Sequence, residues 1–173
     1  MNIVTWNDYF ETTGISPSEG TQFVFYDLTA YFNAWFKAGA PPPIVHDALY
    51  YSERTEIIPS GRTTDAVMQP MRRTAVANRI KMLASLTTPA TLAIAVGSRV
   101  FRHQEPPGLP LFSIPAEPGR PRFSILRGGV AVVQMTSAWV IHRRFTVENP
   151  AYFGGSSNRP FIAVPPRVGD PNR

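Results

Sequence analysis

The sequence predicts a mainly β protein, an antiparallel β-sandwich that follows one amino-terminal strand and one helix. From residue 78 onward, short segments alternate polar and apolar residues with the period of two that is typical of strands. Turns rich in Pro and Gly separate these segments, and no helical pattern intervenes. Short strands joined in this way favour an antiparallel sandwich over a parallel sheet, which needs helical crossovers.

The first predicted strand, Ile3–Trp6, is β-branched and aromatic, a composition that favours a buried strand. The composition then changes abruptly to the amide, acidic and aromatic side chains of Asn7, Asp8, Tyr9 and Glu11. A (β/α) barrel places its active-site side chains at the carboxyl ends of its strands in this manner. A polar turn after a strand is the alternative interpretation.

A helix is predicted after Asp27, a plausible N-terminal cap, and Gly39 and three prolines end it. Its apolar residues recur at i, i+4, i+7 and i+8, so they form one stripe. We expect this stripe to be core, with a sugar-binding platform as the alternative. The stripe consists of Leu28, Phe32, Trp35 and Phe36.

The remaining elements are predicted to be strands. The expected ranges are 44–51, 79–86, 90–96, 99–103, 109–114, 122–126, 130–135, 139–142 and 145–147. Gly128-Gly129 predicts a hairpin turn. Trp139 is expected in the core, whereas residues 152–158 have a loop composition that predicts exposure of Tyr152 and Phe153 as possible sugar contacts.

Charge and composition argue against several classes of function. The net charge is +5 and the pI is about 10.0, but the arginines are scattered, and a nucleic-acid module concentrates its charge on one face. Cysteine is absent, which excludes thiolate chemistry and disulfides. We expect no cofactor, no metal site and no nucleic-acid partner. No segment has the roughly 20 apolar residues that span a bilayer, and the first residues lack the pattern of a signal peptide.

Two passages resemble a known family. Thr5-Trp6-Asn7-Asp8-Tyr9, followed by Glu11 and Pro17-Ser18, is similar to the last barrel strand of glycoside hydrolase family 71, the α-1,3-glucanases, which commonly reads TWNDYGES. Phe10 stands where the family has Gly, and Thr12 stands where it has Ser. The family passage that follows resembles Phe36–Pro43, Asp47–Tyr51 and Arg54, so the similarity covers residues 3–54 well.

The resemblance implies that residues 1–43 are the last strand and helix of a (β/α)8 barrel. The residue pattern predicts that 44–164 form a β-sandwich, and the low apolar content of 165–173 predicts a disordered tail. The family has seven further βα units before this strand, so we expect the chain to be a carboxyl-terminal piece that lacks an upstream catalytic barrel. The expected partner is α-glucan. The expected substrate-binding residues are Trp6, Asn7, Asp8, Tyr9 and Glu11.

The catalytic residues stay unassigned. Inverting glycosidases need two carboxyl groups roughly 6.5–9.5 Å apart. Asp8 and Glu11 differ by an odd number of positions and would face opposite sides of a continuing strand, unless the loop turns Glu11 to the side of Asp8. The resemblance implies instead that the acid–base pair lies on an earlier strand. A free-standing sandwich that binds glycan or protein is the alternative function, and a structural protein of a larger assembly is the third.

Overall fold

The computed structural model describes residues 6–7, 14–59, 78–144 and 153–163. These ranges contain one helix and eight strands. The elements are α1 (Val24–Ala38), β1 (Ala48–Glu53), β2 (Arg79–Ser85), β3 (Ala90–Val96), β4 (Arg99–Glu105), β5 (Leu111–Pro115), β6 (Arg122–Arg127), β7 (Val130–Thr136) and β8 (Phe153–Ser156).

The strands form two antiparallel sheets of four. The first sheet has the order β5-β2-β1-β8, and the second has the order β4-β3-β6-β7. The mainly β, antiparallel prediction is therefore confirmed. It succeeded because the two-residue alternation and the Pro/Gly turns that define these strands are local properties of the sequence.

The core lies between the two sheets and takes alternate residues from each strand. In β1 the odd-numbered residues Leu49 and Tyr51 are buried, and the Tyr51 ring stacks on Phe123 of β6 with a centroid distance of 4.8 Å. This stack joins the first sheet to the second. The other large buried side chains are Ile80, Met82, Leu86, Leu92, Ile94, Val96, Ile125 and Ile141.

Two tight hairpins set the register of the second sheet. Val96 pairs with Arg99 across Gly97-Ser98, and Arg127 pairs with Val130 across Gly128-Gly129. Gly128 and Gly129 have φ values of 57° and 82°, the left-handed conformation that a two-residue turn of this type requires at both central positions. The hairpin predicted at Gly128-Gly129 is present.

One predicted loop is a strand. Residues 153–156 form β8, which pairs with β1, and Gly154, Gly155 and Ser156 are buried. The loop expected at residues 153–156 was wrong, and Phe153 is half-buried because its ring packs on Trp139 with centroids 4.5 Å apart, while Tyr152 lies outside the described residues. The glycines belong to a buried strand because a Cβ at Gly155 would lie 2.3 Å from Cε1 of Tyr51. Glycine is thus required for close packing rather than for a flexible turn.

Two other expectations have partial outcomes. Residues 139–142 form isolated bridges at Ile141 and His142 rather than a full strand, while the strand expected at 145–147 lies outside the described residues. The predicted barrel strand is described only at Trp6, which lies in a bend. Within the described ranges, no helix has the length and apolar character needed to cross a membrane.

Candidate functional site

The predicted substrate-binding residues are described only in part. Trp6 and Asn7 are both exposed, and the Trp6 residue retains 55% of its accessible surface. Asp8, Tyr9 and Glu11 lie outside the described residues. The structure therefore places an exposed indole beside an exposed amide.

Trp6 is held by its backbone and by one ring contact. Its carbonyl oxygen accepts hydrogen bonds from the amides of Ile15 at 3.0 Å and Ser16 at 2.8 Å. Its ring meets the ring of Tyr26 on α1 edge to face, with centroids 6.2 Å apart. The indole is thereby anchored next to the first turns of α1 while much of its surface remains in solvent.

The apolar stripe of α1 is exposed, which contradicts the expectation that it is core. Phe32, Trp35 and Phe36 keep 46%, 39% and 64% of their accessible surface, and Val24 is the buried residue of the helix. Phe32 and Trp35 stack on each other with centroids 6.0 Å apart. We call the exposed aromatic residues of α1 the aromatic surface. They are Phe25, Tyr26, Phe32, Trp35 and Phe36.

The reason for this exposure lies in how α1 attaches to the sandwich. Val24 packs on β8 close to Gly154, and the amide of Gly154 donates to the carbonyl of Gly20 at 2.8 Å. The buried Gln22 side chain accepts from the amide of Ile162 at 2.7 Å and donates to its carbonyl at 3.2 Å. These contacts fix the start of the helix, whereas the aromatic stripe points away from them. An exposed apolar patch made of several neighbouring aromatic rings is typical of a surface that binds another molecule.

The helix ends as the sequence predicts. Gly39 adopts a left-handed φ of 71°, and its amide donates to the carbonyl of Trp35 at 2.9 Å. The start differs, because the helix begins at Val24 and Asp27 lies in its first turn rather than at its cap. Asp27 instead pairs with Arg159, at 2.7 Å between Oδ1 and Nη2.

The described carboxylates are engaged in structural contacts. Asp47 receives bonds from Arg127 and Thr87, and the hydrogen bond from Arg127 holds the pKa of its carboxyl well below the usual range. Glu105 pairs with His103 and Glu117 pairs with Arg99. None of these pairs has the character of a general acid beside a general base.

Glu53 is a buried carboxyl that the sequence interpretation missed. It has no accessible surface, and burial raises its pKa to about 8. Its Oε1 accepts a hydrogen bond from the Ser137 hydroxyl at 2.5 Å, while Oε2 is buried without a hydrogen-bond partner. The signal was present in the sequence, since residue 53 shares the inward parity of Leu49 and Tyr51. A raised pKa suits a general acid, but a fully buried carboxyl cannot reach a polysaccharide.

Among the described residues, no group of three or more His, Asp or Glu side chains is placed to hold a metal ion. The arrangement offers instead exposed aromatic rings and an exposed amide next to one another. Rings of this kind stack on the apolar face of a pyranose, and amides bond to its hydroxyls.

Comparison with protein families decides the assignment. The sequence model of glycosyl hydrolase family 71 matches residues 1–157 of the 173. The chain belongs to glycosyl hydrolase family 71. Comparison with curated proteins and with solved structures gave no match.

Membership of family 71 extends the earlier resemblance from residues 3–54 to nearly the whole sandwich. The two antiparallel sheets are thus part of what the family model recognises, along with the segment that contains Trp6 and Asn7. A function related to glycoside hydrolysis follows from this membership.

Proposed function

We propose that this chain is the carboxyl-terminal part of a glycoside hydrolase that acts on α-glucan, and that it supplies substrate-binding residues while the sandwich supports them. The observation that carries the proposal is the exposed Trp6 indole next to exposed Asn7, in a chain of family 71. Two hydrogen bonds fix the Trp6 carbonyl, and the edge-to-face contact with Tyr26 positions its partly exposed ring. An exposed, positioned indole is suited to stack on a sugar ring.

The proposal extends to Asp8, Tyr9 and Glu11, which follow Trp6 in the sequence. Their carboxylate and phenol groups suit hydrogen bonds to sugar hydroxyls. Trp6 and Tyr9 supply a stacking wall in this assignment, and Asn7, Asp8 and Glu11 bind hydroxyls or orient the catalytic pair.

The proposed partner that completes the active site is a catalytic (β/α)8 barrel, and the aromatic surface of α1 is the face it covers. This surface is apolar, and α1 touches the sandwich through Val24 and the polar contacts at its start. Burying Phe32, Trp35 and Phe36 against another domain would contribute roughly 1.5 kcal/mol or more for each ring. In this proposal the barrel carries the acid–base pair.

Retention on insoluble α-1,3-glucan tests the binding role. The purified chain is compared with a Trp6→Ala, Tyr9→Ala double variant and with Phe161→Ala, which removes another exposed aromatic ring. We expect the double variant to lose most of its retention and the Phe161 variant to keep it. Retention that is unchanged in the double variant would contradict the assignment of the Trp6 segment.

Hydrolysis tests the assignment of the catalytic pair. We expect the purified chain to release no reducing sugar from α-1,3-glucan above a buffer control, because the proposal assigns the acid–base pair to the barrel. Release that grows in proportion to the amount of chain would show that the pair lies within this sequence.

A free-standing binding module is the second candidate function. The observation that favours it is the closed core of the sandwich, in which both sheets bury their inner faces against each other. The same retention experiment distinguishes the two, since glucan binding that is unaffected by the Trp6 and Tyr9 changes would locate the binding on the sandwich.

A further inference from the structure

A cleft of about 250 Å³ lies between α1 and the outer face of the first sheet. The even-numbered residues of β1, Ala48 and Tyr50, form its floor, because the odd-numbered residues face the core. Leu28 and Tyr31 form the helical wall. Of the Trp6 segment, the described residues Trp6 and Asn7 do not line the cleft.

An ion pair with fixed geometry stands at one side of the cleft. Arg159 donates from Nε and Nη2 to Asp27, at 3.1 Å and 2.7 Å to Oδ1. The Asp27 side chain is 8% exposed, whereas the Arg159 side chain is 42% exposed. A guanidinium has five N–H donors, and Asp27 engages two of them, which leaves three that Asp27 does not use.

Two further polar groups are positioned by their neighbours. The Tyr50 hydroxyl interacts with the side chains of Asn158 and Asp27. The Ser156 hydroxyl donates to Oδ1 of Asn158, which orients the amide so that its NH₂ group donates toward the Tyr50 hydroxyl and keeps a second N–H. The cleft therefore presents a phenol, an amide and a guanidinium that are held in place before any ligand arrives.

The charge of these groups selects the type of ligand. The carboxylate of Asp27 neutralises Arg159, so the cleft does not favour an anion such as a phosphate or a sulfate. Within the described part of the chain no side-chain cluster fits a metal ion. What remains is an apolar wall with tyrosine rings, beside neutral or neutralised hydrogen-bonding groups. This combination suits a neutral molecule with an apolar face and several hydroxyls.

We propose that this cleft binds one ring of a neutral saccharide, with Tyr31 and Leu28 against the ring face and Tyr50, Asn158 and Arg159 on its hydroxyls. It is a second saccharide site, and the inference holds whether or not the Trp6 segment binds α-glucan. The rigidity of the polar groups lowers the ordering cost of binding.

Calorimetric titration of the whole chain with an α-1,3-linked glucotriose tests the inference. Tyr50→Phe and Asn158→Ala remove one hydrogen-bonding group each, and we expect each to weaken binding by about fivefold, as the loss of one net hydrogen bond predicts. Phe161→Ala removes an exposed ring that does not line the cleft, so it is the matched control and should leave the affinity unchanged. A thermal unfolding transition establishes that each variant is folded. If one of the two variants does not fold, the other alone tests the inference.

Three results would overturn the inference. The first is a chain that shows no saturable binding of the trisaccharide. The second is binding that Trp6→Ala abolishes and that Tyr50→Phe and Asn158→Ala leave intact, which would support the Trp6 segment and reject the cleft. The third is tighter binding of inorganic sulfate than of the trisaccharide, which would identify an anion site.

Discussion

Glu53 shows how one buried side chain ties a loop to both sheets. Its carboxyl accepts from the Ser137 hydroxyl, which in turn accepts from the amide of Trp139 at 2.9 Å. The amide of Ala138 donates to the Tyr51 hydroxyl at 3.2 Å, so the loop after β7 is fixed by two side chains of β1. Sequence alternation placed residue 53 on the inner face, but a charged residue there is not predicted from the sequence alone, since Glu is almost never fully buried.

Stability should depend on pH through Glu53. The groups facing its carboxyl are Ser137, the Tyr51 phenol, whose own pKa is raised by burial, and the Arg120 guanidinium, which binds the carbonyls of Ser137 and Ala138. Burial raises the pKa of Glu53 from 4.5 to about 8, so the folded state holds a proton that the unfolded state has lost. This contribution is complete below pH 4.5 and is lost as pH rises through about 8, a change on the order of 5 kcal/mol at most.

Urea unfolding at several pH values, with Glu53→Gln alongside, measures this effect. The Gln side chain stays neutral, so we expect its stability to vary much less between pH 4.5 and 8 and to exceed that of the unmodified chain at the upper end. Equal pH dependence in the two proteins would show that Glu53 is not the titrating group.

Gly155 is a second residue whose role is set by a distant neighbour. Gly155→Ala would bring its Cβ to 2.3 Å from Cε1 of Tyr51, whose ring is held by Phe123 and by its hydrogen bond. We expect a loss of about 1–3 kcal/mol in the free energy of unfolding. Gly20→Ala is the matched control, since its Cβ would meet Phe153 at an ordinary 3.7 Å. If both variants are equally stable in urea, the close packing of Tyr51 on β8 is incorrect.

At the scale of elements, local pattern predicted which segments form strands and helices but not what covers them. The strands β2 to β7 follow from alternation and turn residues, and α1 follows from its apolar period. The same period implied a buried stripe on α1, yet that stripe is exposed. Periodicity shows that one face is apolar, whereas burial depends on whether another surface lies against it. The strand β8 was not predicted, because its glycines are required by close packing against Tyr51, which is about a hundred residues away in sequence.

Removing an exposed aromatic ring of α1 should therefore change the free energy of unfolding much less than removing a buried ring of the core. Phe36→Ala should change the free energy of unfolding by no more than about 0.5 kcal/mol, because the ring is 64% exposed. Phe123→Ala should cost about 3–5 kcal/mol, because it empties the centre of the core. Urea denaturation measures both. A large loss for Phe36→Ala would mean that the helix stripe is buried in solution.

At the scale of the molecule, a sandwich with its own closed core carries a helix whose aromatic face is open and a segment whose indole is exposed. The fold class was predictable because it rests on many local signals that agree. For the candidate site the sequence supplied only a motif: Trp6 and Asn7 are exposed, Asp8, Tyr9 and Glu11 lie outside the described residues, and the binding role of all five stays a prediction. The cleft beside Tyr50 was not predictable, because it joins residues from α1, β1 and the turn after β8.

The most direct test of the central claim, that this chain of family 71 binds α-glucan, is a comparison of two insoluble glucans. Depletion isotherms of the purified chain are measured on α-1,3-glucan and on cellulose, a β-linked glucan of similar insolubility. We predict that the affinity for α-1,3-glucan is higher by about tenfold, or ~1.4 kcal/mol. Equal affinity for the two polysaccharides, or no retention on α-1,3-glucan, would contradict the claim.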